Sequence, residues 1–545
     1  MLRLLLLCFP VALIGQPNTF PTGWQDSLRT LLQADVPEGG PGGALGVVHR
    51  GEVIFEAYVG LADLETEAPI GPATRFNVAS NAKQFTALCV LRLAEEGKLD
   101  LQDDIRRYLP DVLPGIDSAI RIEHLVTHTS GIRDVYNLWS LQGITWWKET
   151  LSNEDAYQLL LKQTDLNFDP GSHYLYSNSN YLLLTKLVEA ITGVSFTNYA
   201  DRLFSDLGMR QTTFLADHRL PVPQLARPYF NFDTWQTYEW LSDLHGDGAL
   251  FTTLGDQLHY EQLRTRPDAV DSTLARAVIR SQGLPWPNPG AYGFGVEYGD
   301  YRGQPISFHN GSTGAWKASV LRFPEFDLAI VVTNNSGKFF SYDLARDVAD
   351  VLLAGILKRE RYPSVPEPNF HPDANVAPVG IYGATEGYAI RIEAENGDTL
   401  ILHRYGRSDI RVEPVDEGIY REITDTTFYQ TFDRGPDGSD RITLYHPIHA
   451  PYSLSKADPP VEETTIPGAD VSGSFHNTET GVELTVSFGP GDRTMVLGGD
   501  SLVVEPFTER MWVTRGYTFL TSTEHDRPVL YLFDDRLRWV RFDQK

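Results

Sequence analysis

Apolar residues change their period several times along this chain, and the changes divide it. Trp24, Leu28 and Leu31-Leu32 lie at helical spacing and predict a short amphipathic helix over residues 23–33. Pro41-Gly-Gly breaks it. Ala44 to Val48 and Val53 to Val59 then predict two strands joined as a hairpin at His49-Arg-Gly-Glu52. A helical stripe through Phe85, Leu88 and Leu91 follows and fades at Glu95-Glu-Gly-Lys98. From about 100 to 290 helical patterns alternate with breaks. One holds His124 and His128 and reads as stopping at Gly131. The polar stretch Pro170 to Tyr181 leads into an apolar helix from Leu182 to Ile191. The Gly-rich run Gly246 to Asp256 reads as a turn opening another helix. Strand character returns at Ile306–His309, Ala318–Phe323 and Phe326–Thr333, with a turn at Pro324-Glu325. A helix then carries Leu344, Val348, Leu352 and Ile356 on one stripe.

Five prolines between residues 358 and 378 mark a linker. Beyond it the period falls to two, as in Tyr388-Ala-Ile-Arg-Ile-Glu393 and Arg441-Ile-Thr-Leu-Tyr445. The region repeats. Gly380-Ile-Tyr382 and Val412-Glu-Pro414 correspond to Gly473-Ser-Phe475 and Val504-Glu-Pro506, which predicts two antiparallel β-barrel or sandwich modules. The expected division is 1–15, signal peptide; 16–357, a first domain; 358–378, linker; 379–456, first β module; 457–470, linker; 471–545, second β module.

The signal peptide is read from Met1-Leu-Arg, the apolar run Leu4–Ile14 and the small residue Gly15, a run too short to span a bilayer. It predicts a periplasmic or secreted protein with no stable membrane span after cleavage. Removing it removes Cys8 and leaves Cys89 without an intramolecular disulfide partner. A net charge of −26, spread along the chain, argues against nucleic acid or an anionic membrane as partner. Composition says nothing of oligomeric state.

Ser80-x-x-Lys83 opens the helix after the hairpin, so a hydroxyl and an amine three residues apart face one site. A lysine whose pKa is lowered by burial or by neighbouring charge can activate a serine, and a helix start favours an oxyanion. The same spacing recurs at Ser453-x-x-Lys456, so the motif does not decide by itself. The Gly-x-Ser-x-Gly elbow of α/β-hydrolases does not occur. His124 and His128, four apart on a helix, have the spacing of two metal ligands, but no third ligand suggests itself and Leu125 stands where the zinc-protease pattern has its glutamate.

Taken in order, Ser80-x-x-Lys83, Tyr176-Ser-Asn178 and His309-Asn-Gly311, with the blocks Leu125-Val-Thr-His-Thr-Ser-Gly131, Gly246-Asp-Gly-Ala-Leu-Phe251 and Tyr292-Gly-Phe-Gly-Val296, resemble the serine β-lactamase and penicillin-binding-protein superfamily over residues 40 to 355. Histidine at 309, where many β-lactamases carry lysine, resembles the D-aminopeptidase, D-Ala-D-Ala carboxypeptidase and esterase branch. The resemblance implies an α/β (α+β) catalytic domain, an antiparallel sheet flanked by helices beside a helical lobe, ahead of the two barrel-like modules. It implies Ser80 as the acylated nucleophile, with Lys83 and Tyr176 sharing proton transfer and Tyr176 as a phenolate, and leaves open which of the two takes the first proton. Asn178 is to hold Lys83 and the substrate amide, with His309 on the opposite strand. The backbone N–H groups of Ser80 and Ser312 are to form the oxyanion hole. Asn310 and Gly311 stand beside it, and Asn310 departs from the small residue usual there. Trp316 and Lys317 are expected near the pocket rim. No metal or organic cofactor is implied. The substrate is a small molecule or peptide: an amide, ester or D-residue peptide. The alternatives are a β-lactamase proper and a catalytically idle binding protein. Whether one β module reaches over the site and restricts access, binds a partner or is only appended is left open by the sequence.

Overall fold

Seven antiparallel strands form the frame of the first domain. In chain order they are β1 (Gly43–His49), β2 (Glu52–Val59), β3 (Tyr292–Gly293), β4 (Val296–Tyr301), β5 (Gln304–Thr313), β6 (Trp316–Phe323) and β7 (Leu328–Asn334). They lie side by side as β3-β4-β5-β6-β7-β1-β2. The early hairpin is thus completed by strands from the far end of the domain, with Gly43 opposite Asn334 and His49 opposite Leu328. The computed structural model describes residues 20–283, 291–357 and 376–545, apart from 384–388, 397, 405–407, 417, 425–427, 436–437, 447–448, 458–470, 490–491, 509 and 515. The expected signal peptide and most of both linkers lie outside the described residues.

Five helices matter below: α1 (Trp24–Ala34), α2 (Lys83–Glu95), α3 (Val135–Leu141), α4 (Asn178–Thr192) and α5 (Ser341–Leu352). One face of the sheet is covered by α1 and α5, whose Leu28, Leu32, Leu344 and Val348 meet Leu45, Val47, Ile330 and Val332. The other face packs Val48, Val320 and Val331 against Leu254 and Leu258. In the helical lobe, α2 is buried on nearly every side from Lys83 to Leu91. A helix covered all round is the core of its lobe, which fixes its first turn firmly.

Three elements differ from the sequence expectation. The segment with the two histidines is helical only over Ile122–Val126, and His128 has φ +55. It leaves the helix in a left-handed conformation, so helical spacing never applies to the pair. The helix expected from Leu182 starts at Asn178, because Ser177 is extended and polar Asn178 already belongs to the first turn. The Gly246–Asp256 turn contains a short strand, Leu250–Thr252, paired with Phe76-Asn77 and Thr213-Phe214 before the next helix begins.

Eight strands from Gly380–Gly383 to His449–Ala457 close into a barrel around Tyr382, Ile392, Leu402, Phe432 and Leu444. Nine strands from Gly473–His476 to Val540–Gln544 form the second module's sheet. The repeated triplets Gly380-Ile-Tyr382 and Gly473-Ser-Phe475 open the two modules, and Tyr382 and Phe475 are both buried. Ser453 and Lys456, the second copy of the motif, lie in the barrel's last strand. Residues three apart there point to opposite faces, so they share no site.

The second module docks on the helical lobe. Arg133, 1% exposed, donates from Nη1 to Glu479 Oε2 at 2.8 Å and from Nη2 to the carbonyls of Arg538 and Trp539. Asn167 accepts from the Arg538 N–H at 2.7 Å and donates to the Arg536 carbonyl at 3.0 Å. These contacts hold residues 534–539, the connection between the strands Arg527–Phe533 and Val540–Gln544, against the first domain.

Candidate active site

The nucleophile's placement begins with a kink. Ala79 has φ +47, a conformation non-glycine residues rarely take. It turns the strand Phe76-Asn77 into a 3-10 turn over Ala79–Ala82, from which α2 continues. Ser80 therefore stands at the mouth of α2 and Lys83 is that helix's first residue. The Lys83 side chain is fully buried. Its Nζ has three donors when charged. It reaches Ser80 Oγ at 3.2 Å, Asn178 Oδ1 at 2.8 Å and the Asp247 carbonyl at 2.7 Å. Burial pulls its pKa down to about 8, while Asp247 and Asp134 oppose the fall and Arg536 adds to it.

Asn178 is held by Asp134. Its backbone N–H and its Nδ2 both donate to Asp134 Oδ2, at 2.6 and 3.0 Å. That assigns the amide so that Oδ1 faces Lys83. Asp134 is itself the N-cap of α3, accepting from the Tyr136 N–H. Tyr136 in turn donates from its hydroxyl to Asp247 Oδ2 at 2.8 Å. Buried Asp247 has its pKa raised by desolvation.

Tyr176 lines the cleft beside Ser80. Burial pushes its pKa well above 10; Ser80 and the Arg536 charge oppose the rise. The phenolate implied by resemblance is therefore disfavoured in this cleft, and Lys83 is the group whose neutral form is brought within reach of neutral pH.

The β5 strand forms the opposite wall. Gly311 packs against the Ser80 turn: a Cβ there would lie 2.2 Å from the Val78 carbonyl and 3.1 Å from Ser80 N. Asn310, Ser312 and Thr313 line the cleft. Asn310 Oδ1 also accepts from Ser319 Oγ at 2.7 Å, which fixes its side chain. His309 is buried on the Gly311 face, with Nε2 3.1 Å from the Tyr292 hydroxyl and Nδ1 2.8 Å from the Asn310 carbonyl. Its ring stands 6.3 Å from that of Tyr176, so it borders Tyr176 rather than the open cleft. Trp316 is not at the rim: it is buried and donates Nε1 to the Ala226 carbonyl. Trp240, which packs on it, takes that place. Lys317 lies over the Phe340 ring instead.

His124 and His128 do not converge. His124 Nδ1 accepts from the Arg121 N–H, whereas His128 Nδ1 accepts from Ser177 N and Asn180 Nδ2, with its ring 4.3 Å from Tyr176. A group of metal-ligand type, Asp217, His218 and Asp243, is joined by the 2.8 Å contact of His218 Nδ1 with Asp243 Oδ1.

The cleft, about 380 Å³, is lined from both domains. Beside Ser80, Tyr176 and Asn178 stand Tyr136, Asn137 and Asp247, and Asp535 and Arg536 of the second β module. Sequence reading missed Asp134, Tyr136 and Arg536 as site residues; Asp247 was inside a quoted block without a role. Arg536 Nη1 lies 3.4 Å from Asp134 Oδ2. Asp534 Oδ1 accepts from the N–H groups of Arg536 and Leu537, a local turn that aims the arginine inward.

A family model described as Beta-lactamase matches residues 28–354. A D-aminopeptidase of Cereibacter sphaeroides is 28% identical over 334 residues, which is 59% of this chain and 61% of that protein. The chain thus spans less than two thirds of that relative's length. A D-aminopeptidase of Gluconobacter oxydans is 29% identical over 403 residues, 69% of this chain and 71% of that protein. The solved octameric penicillin-binding protein homologue from Pyrococcus abyssi overlays with a TM-score of 0.55 at 21% identity, covering 79% of this chain and 99% of that one, which shows the shared fold.

Proposed function

The chain belongs to the beta-lactamase family, and from that premise we propose that it is a serine hydrolase that cleaves a small amide, ester or D-residue-containing peptide through an acyl-enzyme on Ser80. The observation that carries this is the buried Lys83 amine, at once 3.2 Å from Ser80 Oγ and 2.8 Å from Asn178 Oδ1.

Neutral Lys83 takes the Ser80 proton as Oγ attacks the carbonyl carbon. The oxyanion forms beside the Ser80 N–H and the β5 backbone at Ser312, where one donor is worth about 3 kcal/mol. Tyr176, beside Ser80 and next to Lys83, passes the proton to the departing nitrogen or oxygen. The C–N or C–O bond breaks and leaves the ester on Ser80. Water then attacks, gives up its proton along the same route, and releases the acid and Ser80. The D-aminopeptidases of Cereibacter and Gluconobacter support the D-peptide member of the substrate class. The apolar run Leu4–Ile14 supports export, so periplasmic or secreted action belongs to the same proposal. Among the described residues no helix is long and apolar enough to cross a membrane.

Intact-mass measurement after exposure to an active-site serine acylator tests the reading. One adduct per chain is expected, absent in Ser80→Ala. An equal adduct on the alanine variant, or none on the native chain, overturns it. Turnover of a D-alanyl amide against nitrocefin then separates a peptidase from a β-lactamase proper.

A further inference from the structure

His128 takes no part in the chemistry proposed above, yet two features make it costly to keep. It is a non-glycine residue held at φ +55. Its ring is fully buried, and Nε2 has no hydrogen-bond partner among the described residues. Strain and an orphaned polar atom at one residue persist only where the surroundings gain from them.

The gain lies on either side of Tyr176. The His128 carbonyl accepts from the Leu175 N–H at 3.0 Å, and Nδ1 accepts from the Ser177 N–H at 3.2 Å. One residue thus holds both backbone donors that flank Tyr176. Had the helix Ile122–Val126 run on through residue 128, that carbonyl would be taken up within the helix. The left-handed turn releases it for Leu175. The ring itself lies against that of Tyr176, with centroids 4.3 Å apart and planes tilted by 35°.

The tautomer is set from outside. Ser130 Oγ donates to Asn180 Oδ1 at 2.6 Å, which assigns that amide so that its Nδ2 donates to His128 Nδ1 at 3.0 Å. Two N–H groups aimed at Nδ1 leave the ring proton on Nε2. Burial, and then the Lys83 charge, hold the imidazole pKa well below 6.5 and keep the ring neutral. Packing alone does not account for these contacts. An apolar side chain beside Tyr181 and Tyr292 would orphan no nitrogen, but it could accept nothing from Ser177.

We propose that His128 is a positioning residue, which places Tyr176 at the Ser80 site through the backbone on both sides of it, so that proton delivery to the leaving group depends on a ring outside the cleft. The inference rests on the proton-transfer role given to Tyr176 in the acyl-enzyme reading.

The methyl and p-nitrophenyl esters of D-alanine test it on the full chain, because methoxide needs a proton as it leaves and nitrophenolate does not. His128→Gly keeps the left-handed backbone without strain and removes the Nδ1 acceptor. It should lower kcat/KM for the methyl ester by about 10²-fold, the loss expected of a displacement near 1 Å, and for the nitrophenyl ester by less than about threefold. His128→Asn tolerates a positive φ and offers Oδ1 in place of Nδ1, so it should return the methyl ester to within about tenfold of the native chain. Asn180→Ala leaves residue 128 in place and should show the same selective loss in milder form. Equal falls for both esters, a glycine variant as active as the native chain on the methyl ester, or an asparagine variant no better than the glycine one overturns the proposal. Should the glycine variant not fold, the two-ester ratio of Asn180→Ala decides, and an unchanged ratio overturns it. Tyr176→Phe separates the two readings. If it spares the methyl ester while Ser80 still acylates, the role given to Tyr176 fails. Amide exchange at Ser177 then decides on His128 by itself: faster exchange in His128→Gly sustains the proposal and unchanged exchange overturns it.

Discussion

The guanidinium of Arg536 and the phenol ring of Tyr176 stand 5.1 Å apart although they belong to different domains. A residue of the second β module thereby enters the electrostatics of the Ser80 site. Its charge lowers the pKa values of both Lys83 and Tyr176, whereas Asp247 and Asp134 raise that of Lys83.

The pH profile follows with a definite sign. In the proposed mechanism Lys83 works as the neutral amine, and its neutral fraction grows as pH rises through about 8. The kcat/KM for an ester substrate should therefore climb along a limb near that pH. Arg536→Gln removes a cation, raises the Lys83 pKa and should move the limb to higher pH. Asp247→Asn removes an anion and should move it lower. Profiles of the two variants shifting in the same direction would contradict this Coulombic balance.

Replacing Lys83 separates chemistry from stability. Lys83→Met should slow acylation of Ser80 by about 10²–10⁴-fold, the usual loss with a general base. Stability should behave differently. A lysine whose folded pKa is lowered from 10.5 to about 8 is held at a cost while charged. Between those values the unfolded chain binds more protons, so the native protein gains stability as pH rises through the window. Urea unfolding at pH 7 and pH 10 should show Lys83→Met gaining less over that span than the native chain.

Arg133 is the interface residue most sensitive to truncation. Arg133→Ala leaves Glu479, 7% exposed, without its buried cation, at a cost of about 3–5 kcal/mol. A thermal melt should fall accordingly. Arg133→Met combined with Glu479→Met should recover only the part of the loss due to the unpaired carboxylate, because the Thr164 donors and the carbonyls of Arg538 and Trp539 stay without their partners. A double variant as unstable as Arg133→Ala would show that the backbone carbonyls of Arg538 and Trp539, not Glu479, depend on Arg133.

Gly311→Ala tests the seam between sheet and nucleophile. The added methyl meets the Val78 carbonyl at 2.2 Å, so β5 must move away from the Ser80 turn. A displacement near 1 Å should lower kcat/KM for an ester by about 10²-fold. Gly299→Ala on the neighbouring strand meets its nearest atom at 3.8 Å and should leave the rate near that of the native chain.

Much of this was legible in the sequence because local rules apply to it. The β1–β2 hairpin, the β5–β7 strands and α5 follow from periodicity, and Ser80 with Lys83 from the helix start. Tyr176 and Asn178 entered through resemblance. What was missed depends on distance in the chain. Nothing around Asp534-Asp-Arg-Leu-Arg-Trp539 beyond turn-forming acids indicates a cleft, since its destination is fixed by Arg133, Asn137 and Asn167. Asp134 carries no sequence signal of its own, because its place in the site depends on Asn178 packing against it from another helix. His128 was misread for a local reason: periodicity cannot detect a left-handed residue after a five-residue helix. Trp316 was misplaced because its indole satisfies itself on the Ala226 carbonyl, a contact that no spacing reveals.

The reach of residues 534–539 into the cleft also has a temporal side. During synthesis Ser80, Tyr176 and His309 leave the ribosome well before Arg536, with a closed barrel made in between. The first domain's sheet and helices have all their strands by then and can fold, since domains generally fold as units from the N-terminus. Their cleft still lacks one wall. The nascent chain thus carries all three sequence motifs while one wall of its cleft awaits a segment made later, so the cleft is completed after the Ser80 turn is.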